Sequence, residues 1–73
     1  MIKAGTECRV LVDSMNYFKP GDIVVVLDED DVPYCCLFED YDANKSIGDY
    51  NLDLLHTLYE SELEVLDDDW TEE

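Results

Sequence analysis

Two apolar runs, Ile23–Leu27 and Tyr34–Phe38, lie close together with "DEDDVP" between them, and "KPGD" immediately precedes the first. No other feature constrains the fold of the chain as strongly. Lys19-Pro20-Gly21-Asp22 is a turn signal, because proline presets φ at the second position and glycine takes the positive φ of a type II turn at the third. The β-branched and aliphatic run that follows reads as a central strand. Pro33 marks the entry to the next strand. Alternation there puts Tyr34, Cys36 and Phe38 on one face and Cys35 and Leu37 on the other. Four consecutive like charges belong in water, so Asp28, Glu29, Asp30 and Asp31 are expected at the exposed tip of a hairpin.

Upstream, Thr6–Val12 reads as a strand with Cys8, Val10 and Val12 on one face and Arg9 on the other. "DSMNYF" breaks that pattern, and "EDYDANKSIGDYN" further on is polar and turn-rich, as a loop should be. The segment "LDLLHTLYESELEVL" carries two patterns at once. Leu52, Leu55, Tyr59, Leu63 and Leu66 recur at helical spacing, whereas Leu63 and Val65 alternate with Glu62 and Glu64 as in a strand. The favoured reading is a strand or irregular segment, one helical turn near Tyr59–Glu62 and a short final strand over Leu63–Leu66. A full helix from Leu52 onward stays open beside it. Residues 67–73, "DDDWTEE", read as a solvated, disordered acidic tail behind a domain at 1–66.

The stretches "GTECRVLVD", "FKPGDIVVVLDEDDVPYCCLFED" and "ESELEVL" together resemble the small SH3-like barrels of the KOW-like kind, over roughly residues 4–66. The resemblance implies an all-β, five-stranded SH3-like barrel. This chain is longer than the usual pattern between Asp40 and Glu62, which makes a long insertion before the last strand, with room for a short helix. Such barrels include ribosomal and transcription-associated modules and many small bacterial and bacteriophage proteins. Nucleic-acid-binding relatives use basic and aromatic surface residues. The only bases here are Lys3, Arg9, Lys19 and Lys45, so that activity does not carry over.

Charge decides which partners are reasonable. Twenty acids face four bases in 73 residues, a formal net charge of −16 and a pI near 4.1. Nothing in that balance could replace counterions on phosphates, so direct nucleic-acid binding and anionic membrane surfaces are disfavoured, and basic proteins are favoured. The N-terminus lacks the apolar core of a signal peptide, and no apolar run approaches the roughly 20 residues that span a bilayer. Three cysteines, an odd number without a secretory signal, point to a reducing cytoplasm (the host's, if the protein is phage-encoded) rather than a disulfide framework.

Chemistry-bearing constellations are few. His56 has no serine or cysteine partner in sequence and reads as a half-buried structural residue, so no enzyme is expected. Cys35 and Cys36 are adjacent and would point to opposite faces of a strand. Joining them with Cys8 and His56 gives a zinc set without any C-x₂-C spacing, and burial as small apolar residues is the simpler reading. Asp40–Asn51 matches a calcium loop at Asp40, Asp42, Asn44 and Ile47, but Lys45 replaces the turn glycine and Asn51 the bidentate glutamate. Neither metal nor cofactor is expected.

What remains is the acidic surface. On a strand, Glu60, Glu62 and Glu64 would form an outward row at about 6.5–7 Å spacing, close to that of backbone phosphates. Asp28 and Asp30 would make a second short row, and Asp40, Asp42, Asp49 and Asp53 populate the insertion. Tyr17, Phe18 and Tyr50 near loops, and Trp70 in the tail, are candidate aromatic anchors. The expected function is a non-enzymatic protein-binding module whose carboxylates engage a basic, nucleic-acid-binding host protein as an inhibitor or nucleic-acid mimic. The alternatives are an adaptor module of a larger assembly and, more weakly, a divalent-cation-binding protein.

Overall fold

The computed structural model describes residues 2–14 and 17–66 of the chain. The expectations for Trp70 and for the tail at 67–73 lie outside the described residues. Five strands form one antiparallel sheet: β1 (Glu7–Val10), β2 (Ile23–Val26), β3 (Tyr34–Leu37), β4 (His56–Thr57) and β5 (Leu63–Val65), in the spatial order β4-β3-β2-β1-β5.

The turn before β2 forms as its residues dictate. Gly21 has φ +96°, and the Asp22 N–H donates to the Lys19 carbonyl at 3.0 Å. The Asp22 carboxylate reaches back to accept from the Lys19 N–H at 2.9 Å, which closes the turn a second time. β2 then runs through the middle of the sheet with Val24, Val25 and Val26 all buried, as an unbroken apolar run must be when both faces are covered. The register Val24↔Leu37, Val25↔Cys36 and Val26↔Cys35 fixes the β2–β3 hairpin, with Asp28–Asp31 in its connection.

The two faces of this sheet carry separate cores. One packs Cys8, Val10, Val24, Val26, Cys35 and Leu63 beneath Phe18 and Leu58. The other packs Cys36, Tyr50 and Leu55, with Leu27, Tyr41 and Ile47 at its margin. Cys35 and Cys36 therefore point to opposite faces, as alternation requires, and both are free and fully buried. The long segment after β3 is what covers the second face. It turns through short 3₁₀ segments at Phe38–Asp40, Ile47–Asp49 and Leu52–Leu54. The Tyr50 hydroxyl ties it together, accepting from the Asp42 N–H and donating to the Asp42 carbonyl, both at 2.9 Å.

The structure closes one alternative in favour of the preferred reading and corrects one expectation. The helix from Leu52 does not form; the chain makes a single 3₁₀ turn, then β4, then a second 3₁₀ turn at Glu60–Glu62 before β5. The barrel is not closed either, since among the described residues no pairing joins β4 to β5. β4 is only two residues long, and Leu58, Tyr59 and the 3₁₀ turn occupy the path between the two edges, so little backbone is left to make a ladder. No helix of the described residues is long and apolar enough to cross a membrane.

Candidate functional site

The acidic residues divide by what their oxygens already do. At the hairpin tip, Asp28 Oδ1 accepts from the Tyr34 N–H at 2.7 Å and Asp30 Oδ1 from the Asp31 N–H at 2.7 Å. Glu29 reaches the Ala4 N–H only at 3.5 Å, and Asp31 stays exposed. The tip is thus a water-facing cluster, as its charge requires, but two of its four carboxylates also organise the local backbone.

In the long segment, Asp42 Oδ1 accepts from the Asn44 N–H at 2.9 Å. Asp49 Oδ2 accepts from both the N–H and Oγ of Ser46 at 3.0 Å. Those two bonds, the backbone one first and the side-chain one second, hold the Asp49 carboxyl below its ordinary pKa. Asp53 is exposed and Asp40 half-buried. The calcium-like loop at Asp40–Asn51 is built from turns, with Asp42 and Asp49 already spent on capping them. Among the described residues no cluster of three or more histidine, cysteine or acidic side chains could hold a metal ion.

The row of Glu60, Glu62 and Glu64 is not a strand row. Glu60 and Glu62 belong to the 3₁₀ turn and only Glu64 lies on β5. Each also has a structural partner. Glu60 Oε2 accepts from the Ile2 N–H at 3.0 Å, and Glu62 Oε1 from the Tyr59 N–H at 2.9 Å. Glu64 Oε1 lies 3.0 Å from Arg9 Nη1, across the β1–β5 ladder and half-exposed. The alternating acids of "ESELE" suit a capped turn as well as a strand, which is why the pattern misled.

Among the aromatic anchors, Phe18 is 3% exposed and Tyr50 5% exposed, so both are core residues rather than docking groups. Their position beside loops hid this, because the loops fold over the two faces of the sheet. Tyr17 is 46% exposed, and its ring lies parallel to that of His56 with centroids 4.1 Å apart. His56 is half-buried on β4, as expected, and its ring is also tilted against that of Phe18, with centroids 6.3 Å apart. Sequence reasoning missed Tyr59, which is 60% exposed at the start of the second turn, and Asp13, which is exposed beyond β1. Neither stands out in the sequence, since their significance comes from a groove formed only when β1's exit and β4's exit meet.

Burial favours the protonated form of two of the cysteines. Burial, with smaller contributions from Cys8, Cys36 and Asp28, pushes the Cys35 thiol up to about 12. Burial, then Asp40, raises Cys36 as well. Both shifts favour the protonated thiol, which is a weaker nucleophile than the thiolate.

No family model matches the chain, and neither the curated proteins nor the solved structures contain a match to it.

Proposed function

We propose that this chain is a non-enzymatic, acidic protein-binding module that engages a basic, nucleic-acid-binding protein and occupies its nucleic-acid site. The observation that carries this reading is the distribution of charge. Twenty acids face four bases, no carboxylate of the described residues is buried, and Arg9 is already taken by Glu64. A rigid sheet holding that many solvated carboxylates presents a field that attracts a cationic surface and speeds its encounter. The carboxylates with most freedom to serve are Asp31 at the tip and Asp40 and Asp53 in the long segment, and the exposure of Glu7, Asp13 and Glu39 supports counting them too.

The finer fold reading belongs with this proposal. The strand order β4-β3-β2-β1-β5, with a 3₁₀ turn leading into β5, supports an SH3-like arrangement of the kind found in small bacteriophage and bacterial proteins. A cytoplasmic setting, that of the host if the protein is phage-encoded, suits three reduced, buried cysteines. The experiment is capture of proteins from a bacterial lysate on the immobilised chain, with salt elution and competition by duplex DNA. The reading expects basic nucleic-acid-binding proteins that salt releases and DNA displaces. Partners that resist salt and ignore DNA would replace it with an adaptor role.

A further inference from the structure

A groove of about 310 Å³ runs between the exit of β1 and the segment from β4 to the 3₁₀ turn at Glu60–Glu62. Its chemistry is mixed in a specific way. Val12, Val32 and Leu58 give it apolar walls, Asp13 and Glu62 give it carboxylates, and His56 and Tyr59 give it aromatic rings. No lysine or arginine lines it. The parallel Tyr17–His56 stack supplies a flat surface beside it. The Asp13 carboxylate makes no hydrogen bond or ion pair with the described residues, and Glu62 uses one oxygen to cap the turn, leaving the other.

We infer that this groove docks an extended, arginine-bearing segment of the basic partner, an inference that rests on the protein-binding reading above and assigns its contact site. Arginine is favoured over lysine because a planar guanidinium can stack on an aromatic face while donating to carboxylates, whereas an ammonium is a compact, strongly hydrated charge. The apolar walls suit the methylene stem of such a side chain. The surrounding negative charge selects a cationic segment over a neutral one. Tyr59 and Tyr17 are the rings with the exposure to serve, and Asp13 and Glu62 are the acceptors.

The test uses the full chain and two fluorescein-labelled probes, a peptide of alternating arginine and serine and its lysine counterpart. Binding is followed by anisotropy and by backbone amide shifts. The arginine peptide is expected to bind more tightly than the lysine one, with shifts centred on Asp13, His56 and Tyr59. Tyr59→Ala, at a largely exposed side chain, should weaken it about tenfold. Asp13→Asn should weaken it about threefold and covers the case in which Tyr59→Ala disturbs the turn. Leu52→Ala, on an exposed residue of the long segment, should leave binding unchanged. Equal affinity for the two peptides, no effect of Tyr59→Ala or Asp13→Asn, and shifts spread over Asp28–Asp31 would overturn the groove while sparing the acidic-surface reading. Failure of both peptides to bind at low ionic strength would overturn both.

Discussion

Removing the Tyr50 hydroxyl tests whether the long segment after β3 is part of the folded core. Tyr50 is buried against Cys36 and Leu55 on the second face of the sheet. Its hydroxyl makes two bonds to the backbone of Asp42, each 2.9 Å long. Tyr50→Phe keeps the ring and its burial but leaves the Asp42 N–H and carbonyl without that partner. A typical net hydrogen bond contributes about 0.5–1.5 kcal/mol. Both bonds are only partly buried, so water recovers some of the loss, and the expected cost is about 1–2 kcal/mol. In a domain of this size each kcal/mol moves Tm by about 4–8 °C, which predicts a fall on the order of 5–10 °C by far-UV circular dichroism. Amide exchange should speed up first at residues 42–50, before β2 responds. Tyr34→Phe, at a 41%-exposed ring, is the control and should not shift Tm. A Tyr50→Phe Tm equal to wild type, with unchanged exchange at Asp42, would show that the hydroxyl does not pin the segment.

Gly21→Ala should cost about 1–2 kcal/mol by urea denaturation, because φ is +96° and an added Cβ would meet nothing within 4 Å, so the cost is purely conformational. Gly48→Ala, also in open space but without a positive φ, should be neutral or slightly stabilising. Stability should fall on the alkaline side: below the ordinary thiol pKa of 9.0 both states keep the Cys35 proton, and as pH rises towards the folded value of about 12 the unfolded chain loses it first. At pH 10 the loss is on the order of 1 kcal/mol, and Cys35→Ala should flatten the pH dependence of the urea midpoint; an unchanged slope would refute the assignment. Moderate salt should raise Tm, since a net charge of −16 repels itself in the compact state; a Tm independent of salt would count against that.

The parts of the fold that were legible in the sequence are those decided locally. Lys19–Asp22 contains everything a type II turn needs, and Ile23–Val26 contains no residue that could face water comfortably. Pro33 and the acids before it close a hairpin whose register then sends Cys35 and Cys36 to opposite cores. The final turn and β5 were legible because Leu63 and its neighbours alternate. β4 was not, since His56 and Thr57 are too few to show a period and their strand state comes from pairing with Tyr34 and Cys35. The burial of Phe18 and Tyr50 was equally hidden. A loop aromatic looks the same in sequence whether it caps a core or faces water, and only the packing of Phe18 over the first face and of Tyr50 over the second decides the matter.

The same distinction applies to the acidic surface and changes how it should be read. A chain this acidic has to place its carboxylates somewhere, and many of them close turns. Asp22, Asp49 and Glu62 each accept from a backbone N–H three residues earlier, and Asp28 accepts from the first residue of β3. Such bonds explain an acid at those positions without any partner, because they satisfy N–H groups that a short turn leaves exposed. Asp13, Asp31 and Asp53 have no such duty, so turn formation alone does not account for their negative charge. Asp13 is the one of these that lies in a groove with aromatic and apolar walls, which is where a partner would gain burial as well as attraction. Charge density in the sequence pointed to the row at Glu60, Glu62 and Glu64, the hairpin tip and the long segment together. On the proposed reading, the centre of the site is the meeting of β1's exit with the turn at Tyr59, and the tip is the part of the field that would bring a cationic chain within reach.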